Sequence, residues 1–194
     1  MTWLILGLVI FLGVHSVSIV APAARERWLA RMGEGGWKGL YSLLSFAGLA
    51  LIIWGYGQAR LDPVHLYTPP TGLRHLSALL MLPVFPLLLA PYLPGRLKTL
   101  ARHPMLVATK LWALAHLLAN GTLADVLLFG GFLVWAVADR ISVKRRERAG
   151  QVRVVPGLPA SGLNDAIVVI AGLALYGLFV FWAHAWLFGV RPFA

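Results

Sequence analysis

Six histidines stand out in a chain with few other polar groups inside its apolar stretches: His15, His65, His75, His103, His116 and His184. All but His65 lie in or at the edge of an apolar segment. An ionisable residue at membrane depth is costly and by default marks a function. Singly, each histidine is explained by a hydrogen bond across a helix interface. Five together point to a shared cofactor. Neutral imidazole ligates iron, copper and zinc. Zinc takes four ligands, or three plus water, from N, S or carboxylate. Carboxylates are scarce here: Asp125 and Asp139 lie at the ends of the fifth apolar segment and Asp165 at the start of the sixth. Haem needs only one or two axial ligands and an apolar, aromatic-lined pocket. Eight Trp and nine Phe are present to line one. The residue types therefore suit haem better than zinc. The absence of cysteine excludes disulfides, thiolate-held zinc, iron–sulfur clusters and covalent haem attachment through cysteine.

The elements that must position these side chains are membrane spans. Of 194 residues, 59% are hydrophobic and only 12% charged, about half the charge of a soluble domain. The mean hydropathy is +0.78. A soluble fold this apolar would expose large aggregating patches. Six apolar segments run about 2–20, 39–57, 73–93, 104–119, 122–140 and 164–188, near the length that crosses a bilayer as a helix. The expected fold is all-α: a single polytopic transmembrane bundle over residues 1–194.

The net charge of +10 would suggest nucleic acid in a soluble protein. Here the cations sit in short loops, so topology explains them and no nucleic-acid partner is expected. Arg25, Arg27, Arg31 and Lys38 fall in the 1–2 loop. Arg96, Lys98 and Arg102 fall in the 3–4 loop. Arg140, Lys144, Arg145, Arg146, Arg148 and Arg153 fall in the 5–6 loop. Those thirteen face three on the other side, Arg60, Arg74 and Arg191. The positive-inside rule then puts both termini outside the cytoplasm. No Lys or Arg precedes Arg25, and Thr2–Ala21 is apolar for longer than a signal-peptide core, so the first segment reads as a span. The cluster Lys144–Arg148 reads as a topology determinant before an anionic-lipid site.

Local signals refine the segments. Pro83, Pro86 and Pro91 should kink or partly unwind the third. Asn120-Gly121 makes a tight hairpin of the fourth and fifth. Val155–Gly162 is a Pro/Gly-rich lead-in to the last helix, with Asn164 as a plausible N-cap. At ~1.5 Å of rise per residue, His15 lies towards the cytoplasm and His116 towards the outside, ~12 Å apart in depth. His103 sits at the cytoplasmic mouth of the fourth segment, and His75 and His184 near the outer ends of the third and sixth. Thr109, Trp112 and His116 share one face of the fourth helix; His103 and Lys110 share another.

Arg102-His103-Pro104, then Leu111-Trp112 and His116-Leu117-Leu118-Ala119-Asn120-Gly121, resemble the NnrU family of bacterial membrane proteins. The resemblance extends to Gly13-Val14-His15-Ser16, Arg74-His75 and His184-Ala185-Trp186-Leu187, and so covers nearly the whole chain. It implies a multi-pass protein of the bacterial inner membrane, linked to denitrification through nitrite and nitric oxide reduction. NnrU proteins are similar to zeta-carotene isomerase, an integral membrane haem b enzyme with histidine axial ligands. By that resemblance His15 and His116 are the iron ligands. His75, His103, Trp112, Arg102 and His184 are further cofactor-binding candidates. The isomerase has a cysteine three residues before its second histidine; here Ala113 stands there, so a thiolate switch is unavailable.

Two other readings differ in class. Arg-His-Pro also opens a motif of membrane methyltransferases of the isoprenylcysteine type, which use S-adenosylmethionine, although their Glu- and Tyr-bearing elements have no convincing counterpart here. A non-catalytic accessory of a respiratory reductase is the other. The partners expected are the lipid bilayer and either a hydrophobic small molecule or such a reductase. The sequence leaves open the reaction and the oligomeric state.

Overall fold

The computed structural model describes residues 1–151 and 158–192. Arg153 and Val155–Gly157, assigned above to the basic loop and the helix lead-in, lie outside them. The described residues form α1 (Thr2–Val20), α2 (Pro22–Ala59), α3 (Thr71–Met81), α4 (Val84–Leu89), α5 (Arg96–Ala101), α6 (Pro104–Ala119), α7 (Leu123–Arg148), α8 (Gly162–Leu178), a π-helical turn (Phe179–Ala183) and α9 (His184–Phe188). Among them there is no strand, only one isolated bridge between His65 and Thr122. Five helical stretches are long and apolar enough to cross a membrane: Thr2–Val20, Pro22–Ala59, Thr71–Leu89, Leu123–Arg148 and Gly162–Phe188. Pro104–Ala119 is a shorter apolar helix. The all-α, membrane-spanning expectation holds. The outward side chains are those of lipid-facing surface: Phe46, Val134 and Phe181 are 73%, 71% and 82% exposed.

The chain divides into two compact units, residues 1–67 with 121–142, and residues 68–120 with 143–194. In the first unit α1 packs on α2 at glycines. A Cβ on Gly7 would come within 2.6 Å of Ile52 N, one on Gly48 within 2.8 Å of Phe11 N, and one on Gly55 would strike Leu4 N. Lipid supplies no hydrophobic drive between helices, so close backbone approach over small residues supplies van der Waals contact instead.

The expected 1–2 loop is helical. Arg25, Arg27, Arg31 and Lys38 ride on α2, whose first turns are set off by Gly33 at φ 71°. Glycine reaches that angle without steric cost, so the helix changes direction there before its apolar run starts. The basic charges meant for a loop are carried on helix because Arg, Lys and Ala are good helix formers.

The start of α7 is fastened to the end of α2 and the loop after it. Leu66 N and Tyr67 N both donate to Gly121 O (2.8 and 3.2 Å), and Leu123 N donates to Val64 O (2.8 Å). A Cβ on Gly121 would strike Tyr67 O. Asp125, 4% exposed, accepts from Tyr56 Oη at 2.5 Å, from Thr122 N at 2.9 Å and from Thr122 Oγ1 at 2.6 Å. Thr122 and Asp125 thus cap the helix as a Thr-x-x-Asp box.

In the second unit the third apolar segment is broken as its prolines predict, into α3 and α4 around Leu82-Pro83. Leu82 N turns back to Leu79 O, and the carbonyl of Ala78 accepts instead from Tyr176 Oη at 3.0 Å. Such repair is what a broken helix at membrane depth requires. A Cβ on Gly172 would come within 2.5 Å of Pro86, so α8 lies directly on the α4 backbone. The small core of this unit is Val84, Leu87 and Ala108, with Leu111 and Trp112 packed against it. Asn164 is not the N-cap of α8. Ser161 is, its Oγ accepting from Asn164 N at 3.2 Å. The Asn164 side chain donates to Pro94 O at 2.8 Å, which uses its amide on the preceding α4–α5 turn. Asp165 accepts from Arg96 N (2.8 Å) and Leu97 N (3.0 Å). It thereby satisfies the first donors of α5, which has no side-chain cap of its own.

Candidate functional site

His15 is held by its own helix and by aromatic rings. Its Nδ1 lies 2.7 Å from Phe11 O, one turn back. A carbonyl only accepts, so Nδ1 carries the proton and Nε2 the lone pair. Phe11 stacks on the imidazole at 4.2 Å between centroids. Tyr41 from α2 lies at 5.1 Å and Trp135 from α7 stands edge-on at 6.0 Å. Trp135 Nε1 is buried with no hydrogen-bond partner among the described residues. An unsatisfied buried donor costs about 1–3 kcal/mol, and a native structure that keeps one calls for an explanation. Beside the ring lies a cavity of about 290 Å³, lined by His15, Ser18, Arg25, Trp37, Lys38 and Tyr41 among others.

His116, in the second unit, has the same local construction. Its Nδ1 lies 2.8 Å from Trp112 O, and the Trp112 ring is 5.4 Å away. The proton is again on Nδ1. Around it the helix is tied down: Asn120 Nδ2 donates to His116 O at 2.9 Å. Ser77 Oγ lies 2.7 Å from Ala115 O and 2.9 Å from Leu73 O. One hydroxyl proton serves one carbonyl at a time, so this contact either joins α3 to α6 or folds back on α3. Ala113 is fully buried.

The remaining candidates, all in the second unit, have other surroundings. His103 Nε2 lies 2.6 Å from Glu147 Oε1. The residue before it, Arg102, has φ 57° and ψ −54°, and His103 N bonds to Ala101 O at 2.6 Å. That is a γ-turn of the rare positive-φ kind, a strained conformation for a residue with a Cβ. Pro104 then opens α6 at its first position. Arg102-His103-Pro104 therefore builds the entry to α6, with His103 anchored to the end of α7. His75 is on the exposed side of α3. His184 follows the π-helical turn; its Nδ1 lies 2.7 Å from Val190 O, and its ring meets Phe188 at 5.0 Å. Among the described residues no three His, Asp or Glu come together as a group that could hold a metal ion.

Three participants escape a reading of residue types along the chain: Tyr41 and Trp135 beside His15, and Glu147 beside His103. Trp135 and Glu147 come from segments distant in sequence, and no local motif marks them. The Thr122–Asp125 cap and its bond to Tyr56 belong with them, although the Thr-x-x-Asp spacing is a signal that could have found the cap.

These features define a class: a polytopic helical membrane protein with imidazoles built into its apolar helices and backed by aromatic rings. A family model described as NnrU protein matches residues 3–192. The chain belongs to the NnrU family. No curated protein and no solved structure matches it.

Proposed function

We propose that this NnrU-family protein is a haem b-binding protein of the bacterial inner membrane, with His15 and His116 as axial ligands. The carrying observation is the His15 environment. An imidazole with its proton held on Nδ1 offers Nε2 as the ligating atom. Its ring is backed by Phe11 at 4.2 Å, a cavity adjoins it, and a buried indole N–H without a partner stands beside it. The donor set fits haem, which takes one imidazole per axial position. The bond from Nδ1–H to a carbonyl fixes the ring and raises the basicity of Nε2, as partners behind metal-bound imidazoles do. His116 repeats that bond in its own unit, and the motif resemblance selects it as the second ligand.

A bound haem b supplies one-electron redox chemistry or the binding of a small ligand. The chain's own contribution is to present imidazole in the ligating tautomer and to flank it with aromatic side chains. A buried Ala113 offers no thiolate, so ligand exchange through sulfur is not part of the chemistry. The family's link to nitrite and nitric oxide reduction makes electron transfer to, or service of, a respiratory reductase the role this chemistry serves.

The test is the absorption spectrum of purified protein after haem supplementation, oxidised and reduced. A Soret band is expected in wild type, and it should be lost or shifted in His15→Ala and in His116→Ala. No Soret band in wild type, or unchanged haem content in both variants, would sink the proposal.

A further inference from the structure

The cavity beside His15 has a composition that axial ligation alone does not explain. It lies within the first unit, between the end of α1 and the two parts of α2. Its walls include two cations, Arg25 and Lys38, two serines, Ser18 and Ser42, the Tyr41 phenol and the Trp37 indole. Arg25 comes from the first turn of α2 and Lys38 from beyond the Gly33 break. The change of direction at Gly33 is therefore what lets one helix line the cavity with both. Lys38 is only loosely committed elsewhere. Its pair with Glu34 is 2.8 Å long, but both side chains are more than two-thirds exposed, and exposed i,i+4 pairs contribute little. Both cations are solvent-exposed and no carboxylate is among the residues that line the cavity, so two like charges converge on one cleft and raise the local concentration of anions there.

We propose that Arg25 and Lys38 bind the carboxylate groups of the porphyrin ligated through His15, and so orient it with its propionates towards the cytoplasmic end of α1. The inference rests on the haem reading above and extends it to the polar edge of the ligand. Ser18 and Ser42 hydroxyls supply further donors to the same oxyanions. Arg25 presents a planar fork that matches a carboxylate in two bonds, and Lys38 adds a point charge.

The experiment compares haemin with its dimethyl ester, in which the propionate charges are removed and the iron is unchanged. Binding to the purified full chain in detergent is read from the Soret titration. Wild type is expected to bind the free acid about tenfold more tightly than the ester, the worth of one charge-assisted hydrogen bond. Arg25→Gln with Lys38→Gln should erase that preference while leaving ester binding unchanged. Glu34→Gln, which releases Lys38 from its competitor, should strengthen it. Monodisperse elution and an unchanged helical spectrum establish that the variants fold. Equal binding of acid and ester by wild type overturns the proposal, as does a preference that survives in the double variant. Loss of co-purifying anionic phospholipid from the double variant, with the acid preference intact, assigns the cations to the bilayer and also overturns it. Absence of a Soret band with either porphyrin is the separate failure of the haem reading itself.

Discussion

The phenol oxygen of Tyr56 stands 2.5 Å from Asp125 Oδ1, joining the end of α2 to the first turn of α7. The carboxylate is buried and also accepts from Thr122 N and Thr122 Oγ1. Its position at a helix N-terminus adds a favourable interaction with the helix dipole. Tyr56 is further packed edge-on against Phe129 at 6.4 Å. Tyr56→Phe should keep that packing and cost about 1–2 kcal/mol, since Asp125 retains its bonds from Thr122. Asp125→Ala should cost more, because it strips the helix cap and leaves the half-buried phenol without its acceptor. Thermal unfolding in detergent checks the order. A Tyr56→Phe loss equal to that of Asp125→Ala would contradict it.

The glycine seam of α1 and α2 yields a sharper expectation. A side chain at Gly48 or Gly55 meets backbone of the opposite helix, not the tip of a side chain that can swing away. Gly48→Val and Gly55→Val should each lower stability by about 3 kcal/mol or more, at or beyond the upper range of overpacking. Gly57→Val is the control on the same helix, for a Cβ there meets nothing within 4 Å. Similar melting shifts at all three positions would refute the role assigned to close backbone approach.

Arg102 carries strain in its backbone. Glycine tolerates positive φ, so Arg102→Gly should relieve about 1 kcal/mol of conformational cost, partly offset by the greater freedom of glycine in the unfolded chain. The expected result is a melting temperature equal to or slightly above that of wild type. Arg102→Pro, locked at negative φ, should destabilise clearly. A large loss of stability in Arg102→Gly would show that the guanidinium, rather than the turn, holds the start of α6.

Orientation is directly testable because the native chain has no cysteine. Single cysteines at Lys144 and at Asp62 should label oppositely with an impermeant maleimide in intact cells. Asp62→Cys is expected to react from outside and Lys144→Cys only after the membrane is opened. The reverse pattern would place the basic helix ends outside and invalidate the orientation drawn from the thirteen-to-three charge asymmetry.

The sequence by itself determined the class and most of the span boundaries. Apolar length and sparse charge admit few structures other than membrane helices, because a bilayer leaves no water for unpaired backbone groups. The fourth segment, expected at 104–119, is Pro104–Ala119. The proline break in the third falls where ring geometry demands it. The histidines, too, were legible one at a time, as polar groups where polarity is expensive, and the motifs around them marked the family.

Only the tertiary structure decided their surroundings. The basic 1–2 segment is helix with a glycine break, since helix propensity and the bilayer surface act there together. Ser161, not Asn164, caps α8, because the helix already begins at Gly162 and leaves Asn164 inside its first turn, where its amide donates to Pro94 O. Trp135 at His15, Tyr56 at Asp125 and Glu147 at His103 each meet partners far away in sequence. Such pairings are set by how helices pack and rotate, which hydrophobic periodicity scarcely reports when nearly every face of a helix is apolar. The bilayer thus makes spans easy to read from residue types, and the same uniform apolarity hides which faces meet.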